Sequence, residues 1–114
     1  HGVPPSVDLG FDVRFLVNPH FVPELRPRTG RDADVARFVE EGSDTGPFYG
    51  RLLDFLLFCL PHYRRENRAY LTIGVGCTGG RHRSVYVAER LGRDLPAAGY
   101  PVRVAHRDDI REGP

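Results

Sequence analysis

A glycine-rich loop between two apolar segments is the feature that most constrains this chain. Residues 70–76 are short, apolar and rich in β-branched side chains, which predicts a buried strand. Apolar residues at helical spacing follow the loop from Ser84 to about Leu95. A strand, a loop and a helix in this order collect unpaired backbone N–H groups at the positive end of a helix dipole. The sequence therefore predicts an oxyanion site in the loop Gly76-Cys77-Thr78-Gly79-Gly80-Arg81-His82-Arg83-Ser84.

The side chains of this loop suit a phosphate. Gly79 and Gly80 allow the backbone to curl around a ligand, and Thr78 offers a hydroxyl group. Three cationic or donor side chains follow, namely Arg81, His82 and Arg83. The alternative interpretation is a plain strand-to-helix turn, with Arg81 and His82 in solvent.

The spacing Cys77-x5-Arg83-Ser84 also resembles the phosphate loop of cysteine-dependent phosphatases. A thiol at a helix N-terminus beside an arginine has thiolate character, so Cys77 could act as a nucleophile and Arg83 as a phosphate clamp. That family has a histidine before the cysteine, where this chain has Gly76, and no loop clearly supplies a general-acid aspartate. A phosphatase is therefore the alternative function, and we expect this domain not to be an enzyme.

The remaining segments predict an α/β fold with a small mixed or mostly parallel sheet flanked by helices. Residues 11–17 alternate and then become apolar, which predicts a first strand, and residues 102–106 predict a third one. A short helix is expected from Asp32 or Asp34 to Val39, ended by Gly42. The apolar spacing in residues 45–65 predicts a helix buried on most of its circumference, with Cys59 in the core.

Composition excludes several classes of protein. The 114 residues, 40% hydrophobic and 27% charged, predict one globular domain over residues 1–114. All 16 cationic residues are arginines and 15 acids nearly balance them, so the net charge of +1 lacks the basic excess typical of nucleic-acid binding. Cys59 and Cys77 suggest neither a disulfide framework nor a metal site. No segment reads as a membrane span or a signal peptide, so a cytoplasmic protein is expected.

Four further blocks, together with the loop, resemble the C-terminal domain of the RapZ proteins. The matching strings are FDVRFLVNPH at residues 11–20, LRPRTG at 25–30, YLTI at 70–73, GCTGGRHRSV at 76–85 and HRD at 106–108. The resemblance implies that a P-loop nucleotide-binding domain, which would bind ATP or GTP, precedes this domain in a full protein. A chain that starts with histidine fits such a fragment. No cofactor is expected in the domain itself.

The family resemblance also implies a function. RapZ proteins act as RNase adapters whose C-terminal domain binds small regulatory RNA and senses glucosamine-6-phosphate. Their fold is likened to a phosphofructokinase subdomain, and they form homo-oligomers. The positions that would line the phosphosugar pocket are Asp12, His20, Cys77, Thr78, Gly79, Gly80, His82 and Arg83, beside Arg81 and Ser84 of the same loop.

Two of these positions have simpler interpretations, and one departure bears on RNA. Asp12 could instead be a solvent-facing strand residue, and His20 a helix or turn cap. Family members that bind RNA are expected to end in a basic cluster, whereas residues 107–114 contain two arginines and three acids. A purely structural oligomerisation domain with a vestigial loop is the third hypothesis.

Overall fold

A small sheet and three helices form the regular structure of the described residues. The computed structural model describes residues 7–67 and 70–106. In chain order the elements are β1 (Leu9–Asp12), a 3-10 turn (Pro19–Phe21), α1 (Ala33–Glu40), α2 (Thr45–Arg65), β2 (Ile73–Gly76) and α3 (Arg83–Ala97). The predicted α/β class is therefore confirmed.

β1 and β2 form a two-stranded parallel sheet. Leu9 pairs with Ile73 and Asp12 pairs with Gly76, so both strands end at the same edge. A parallel pair requires a long crossover, and here α1 and α2 supply it. The carboxyl end of β1 and the loop that follows β2 consequently lie side by side, which is where ligands bind in sheets of this type.

The predicted strand at residues 11–17 is placed too late in the chain. β1 ends at Asp12 because its partner β2 ends at Gly76, whose carbonyl accepts the last bond from the N–H of Val13 at 2.8 Å. The N–H of Leu16 then donates to the carbonyl of Val13 at 3.1 Å, and both side chains are buried. The apolar run is therefore a turn that inserts two side chains into the core.

The predicted strand at residues 102–106 is wrong for the structure described. This segment has no regular secondary structure, and no backbone hydrogen bond joins it to β2 within residues 7–67 and 70–106. Alternate residues of the segment contact α3 instead of a neighbouring strand, since Val104 packs against Gly92 and His106 lies beside Glu89.

α2 has the bounds that its pattern predicts, but it is not buried on most of its circumference. The buried positions Thr45, Tyr49, Leu52 and Leu56 form one face. Phe55 and Phe58 remain exposed, the latter to 67%. Cys59 is only half-buried and lies outside the core cluster, contrary to the expectation. The apolar positions of α2 therefore cover the core with one face and present aromatic rings to the surface with another.

One hydrophobic core joins the layers. α1, α2 and α3 each contribute buried residues at three- and four-residue spacing, as amphipathic helices do. The buried cluster contains Val13, Leu16, Leu25, Val35, Val39, Tyr49, Leu52, Leu56, Tyr86, Val87, Leu91 and Leu95. Through this packing the first turn of α3 is held against the end of β1.

Candidate functional site

The loop between β2 and α3 has the backbone shape that its glycines predict. Gly79 and Gly80 have φ angles of 84° and 68°, in the left-handed region. A Cβ atom at either position would meet nothing within 4 Å. Glycine is therefore required here for backbone conformation and not for space.

The loop also presents backbone donors. Within the part of the chain that the structure describes, no hydrogen bond uses the N–H groups of Thr78, Gly79, Gly80, His82 or Arg83 as donors. α3 begins at Arg83, so these groups lie at or just before the positive end of the helix dipole. Buried or clustered donors of this kind are usually paired, and an anion is the ligand that pairs several at once.

Cys77 and Ser84 close the base of the loop. The N–H of Ser84 donates to Sγ of Cys77 at 3.2 Å, and the thiol lies 3.3 Å from Oγ of Ser84, to which it donates. The sulfur thus occupies a helix N-terminus and already has two polar partners. This arrangement holds the thiol in place at the first turn of α3.

Arg83 is buried and faces the end of β1. Only 4% of the residue is exposed, and its Nη1 donates to the carbonyls of Arg14 and Leu16, the latter at 3.2 Å. Its Nε is buried without a hydrogen-bond partner among the described residues. Arg83 therefore ties α3 to the turn after β1, and it retains donor capacity that this contact does not use.

Arg81 and His82 tie the loop to a neighbouring segment. Nη2 of Arg81 donates to the carbonyl of Pro27 at 3.0 Å, and Nε2 of the buried His82 lies 3.2 Å from the carbonyl of Arg26. The carbonyl of Arg81 accepts the N–H of Gly30 at 2.8 Å. Residues 26–30 therefore form a second wall beside the loop.

Gly30 is the residue that sequence reasoning missed. A Cβ atom there would lie 2.4 Å from the carbonyl oxygen of His82 and 2.5 Å from the backbone nitrogen of Tyr86. Only glycine lets residues 26–30 approach the first turn of α3 this closely. In the sequence, the proline and the glycine of residues 27–30 are typical of a turn and do not indicate a contact with a distant helix.

Asp12 lies at the carboxyl end of β1, beside the start of the glycine-rich loop. Asp12 pairs in register with Gly76, the residue before Cys77. Its carboxylate accepts bonds from the backbone N–H of Arg14 at 3.0 Å and from Nε of the same residue at 2.8 Å. The bond from the backbone N–H of Arg14 is the main cause that lowers the pKa of Asp12, and the positive charge of Arg83 adds to it. Asp12 is therefore an exposed carboxylate, ionised at neutral pH, at the carboxyl end of the sheet.

His20 lies on the 3-10 turn after β1. Its N–H donates to Oδ1 of Asn18 at 3.0 Å, and its exposed ring contacts Phe21 edge-on. Its carbonyl accepts Nε of Arg26 at 2.8 Å. In the described part of the chain no hydrogen bond joins His20 to the glycine-rich loop. The cap of this turn is Asn18 and not His20, which lies inside the turn with its ring exposed.

Metal-binding clusters and membrane-spanning helices are both absent from the described residues. Those residues contain no group of three or more histidine, cysteine or acidic side chains that could hold a metal ion. None of the helices in the described ranges has the length and apolar character needed to cross a bilayer.

Comparison with known proteins places the chain among bacterial relatives. It is 55% identical over 108 residues to a nucleotide-binding protein of Brevibacillus brevis, matching 95% of this chain and 36% of that protein. It is 54% identical over 107 residues to a nucleotide-binding protein of Koribacter versatilis, matching 94% of this chain and 35% of that protein. A nucleotide-binding protein of Nitratidesulfovibrio vulgaris is 55% identical over 107 residues, matching 94% of this chain and 36% of that protein.

The chain thus spans about a third of the length of the curated relatives that it matches. A family model describing the RapZ C-terminal domain matches residues 1–109, which is nearly the whole chain. The glycine-rich loop, the wall formed by residues 26–30 and the carboxyl end of β1 all lie inside that match. The chain belongs to the RapZ C-terminal domain family.

Proposed function

We propose that this chain is a non-enzymatic regulatory domain that binds a phosphorylated amino sugar, or a similar oxyanion, at the loop from Cys77 to Ser84. The observation that carries the proposal is the set of backbone donors without acceptors at the start of α3, beside two glycines in the left-handed region. A phosphate group offers several acceptor oxygens and negative charge, which match these donors and the helix dipole.

The neighbouring side chains support an amino sugar as the rest of the ligand. The carboxylate of Asp12 stands at the same sheet edge as the loop and is ionised at neutral pH, as its lowered pKa requires. An ammonium or hydroxyl group of a sugar is the natural partner for it. His20 would contribute a ring donor from the 3-10 turn. Phosphate recognition therefore rests on the backbone, and sugar recognition on these two side chains.

The role in a full-length protein is proposed from the family. We infer that the domain contributes small-RNA binding and an RNase adapter role in a cytoplasmic homo-oligomer, with ATP or GTP bound by another domain. Among the arginines near the loop, Arg14 pairs with Asp12, Arg28 with Asp34 and Arg31 with Glu89. Because acids neutralise these cations, RNA binding by this chain alone should be weak and should fall steeply as salt rises.

Alanine at the two loop glycines tests the anion site. Gly79→Ala and Gly80→Ala should each weaken phosphate binding by roughly tenfold, because a side chain with positive φ costs about 1–2 kcal/mol. Calorimetry with inorganic phosphate, glucosamine-6-phosphate and glucosamine gives the measurement. Binding of the two phosphates, and not of glucosamine, is the expected pattern.

Gly50→Ala is the matched control. Gly50 is exposed in α2, and a Cβ atom there would also meet nothing within 4 Å, but its φ is helical. The substitution should leave phosphate affinity unchanged and stabilise the fold by about 0.5–1 kcal/mol. Parent-like phosphate affinity in Gly79→Ala and Gly80→Ala would remove the loop from the site.

The phosphatase alternative makes a separate prediction. Arg83 donates two hydrogen bonds to backbone carbonyls, and the thiol of Cys77 is hydrogen-bonded to Ser84. Asp12, the carboxylate at this sheet edge, is paired with Arg14 and has a lowered pKa, the opposite of what a general acid needs. We expect no turnover of an aryl phosphate and only a modest change of phosphate affinity in Cys77→Ser. Hydrolysis by the parent that Cys77→Ser abolishes would establish the enzyme instead.

A further inference from the structure

An open cleft separates β2 from the segment of residues 101–106. Its volume is about 1040 Å³. Its lining includes Leu71, Ile73 and Val75, Leu91 and Leu95 of α3, and residues 102–105. Among the described residues β2 pairs only with β1, along one edge, so its second edge has no strand partner there. Unpaired edges of this kind accept another strand readily.

The segment facing that edge is attached at three points. The N–H of Tyr100 donates to the carbonyl of Leu95 at 2.9 Å, at the end of α3. Val104 contacts Gly92, and Nε2 of the buried His106 lies 2.7 Å from Oε2 of Glu89. As the segment runs from Tyr100 to His106, its contacts move from Leu95 to Gly92 to Glu89, so the segment is antiparallel to α3. The segment thus runs in the direction that a parallel third strand requires after a right-handed crossover.

Glu89, which holds the end of the segment at His106, also contacts Arg31, the residue after the wall formed by residues 26–30. Oε2 of Glu89 lies 3.4 Å from Nε of Arg31 as well as beside His106. Arg31 follows Gly30, whose N–H donates to the carbonyl of Arg81 in the loop. A ligand that orders the loop would therefore also order residues 30 and 31 and, through Glu89, the end of the segment.

We propose that residues 101–106 are a strap that closes onto the free edge of β2 as a third parallel strand when an anion occupies the loop. The alternation of Val102 and Val104 with Arg103 and Ala105 suits a strand with one covered face. Closure would pair backbone groups that have no partner on either side of the cleft in the described structure, and it would cover Ile73 and Val75. This inference rests on the proposed anion site.

Hydrogen exchange of the whole chain, with and without inorganic phosphate, tests the strap. Phosphate should slow exchange of the amides in residues 78–83, which form the anion site. It should also slow exchange in residues 101–106 and 71–76 by about tenfold, because phosphate shifts the closed state of the strap from a minor to a major population. Glu89→Gln should remove the second effect and keep the first. Glu40→Gln, an exposed glutamate at the end of α1, is the matched control and should behave like the parent.

The outcomes separate the strap from the site. Slower exchange in residues 78–83 alone would overturn the strap and leave the proposed function standing. No change in any segment would refute the anion site, and the strap with it. Full protection of residues 101–106 before phosphate is added, or a parent-like response of Glu89→Gln, would show that closure is not linked to the loop through Glu89.

Discussion

Gly30→Ala is expected to lower the free energy of unfolding by about 3 kcal/mol, at the upper end of the usual effect of overpacking. The added Cβ atom would lie within 2.5 Å of two backbone atoms, the oxygen of His82 and the nitrogen of Tyr86. Backbone at the start of a helix cannot move aside as the end of a flexible side chain can. Residues 26–30 must therefore separate from α3, which also removes the wall of the anion loop.

Urea denaturation followed by circular dichroism measures this change. Gly10→Ala in β1 is the control, because its Cβ atom would lie 3.8 Å from Val7, an ordinary contact. The control should change stability by less than about 1 kcal/mol. If Gly30→Ala unfolds at the same urea concentration as the parent, residues 26–30 do not pack on α3 as described.

Arg83→Ala should have the second large effect, on stability and on anion binding together. The substitution removes two charge-assisted bonds to the carbonyls of Arg14 and Leu16, which should cost about 2–4 kcal/mol of stability. Loss of the cation beside the loop should weaken phosphate binding by about 1.5–3 kcal/mol. Calorimetry at a temperature well below unfolding separates the two quantities.

Arg83→Met distinguishes a structural role from a ligand role. An apolar side chain of similar length should recover part of the stability, since buried charges are often replaced without loss. It should not recover phosphate affinity. Parent-like affinity in Arg83→Met would limit Arg83 to holding β1 and α3 together. Arg81→Ala, at an exposed position, should change stability by only about 0.5 kcal/mol.

The sequence predicted those elements whose signals are local. The apolar spacing of residues 45–65 predicted both ends of α2, and Asp32 with Gly42 bracketed α1. Gly79 and Gly80 predicted the curled loop, because few residues other than glycine adopt those φ angles readily. Helix periodicity and positive φ are properties of a few neighbouring residues, so no knowledge of the fold was needed.

Signals that depend on distant partners were misread. The strand predicted at residues 11–17 extends past Asp12, where the pairing with the short strand β2 ends. The pattern of residues 102–106 also suits a strand, yet in the described structure Val104 and His106 use α3 as their partner. Apolar spacing in α2 did not reveal that Phe58 would remain exposed. In each case the conformation or burial of the segment depends on the element that packs against it, which its own sequence does not reveal.

The candidate site divides in the same way. The position of the loop follows from the strand, the glycines and the helix, all of which are local. The direction of each side chain does not, because Arg81 and His82 contact residues 26–27 and Arg83 contacts the turn after β1. These contacts join residues that are more than fifty positions apart in the chain. Whether Asp12 and His20 contact a ligand stays a prediction.

The parallel pairing of Leu9 with Ile73 has a consequence for synthesis of the chain. More than half of the chain separates the two strands, so closing the sheet is slow compared with the formation of α2. At translation rates of about 5–20 residues per second, β1 leaves the ribosome roughly 3–13 s before β2. During that interval Leu9 and Phe11 have no strand partner. A chaperone that binds the nascent segment would protect β1 until β2, which leads into the glycine-rich loop, has been synthesised.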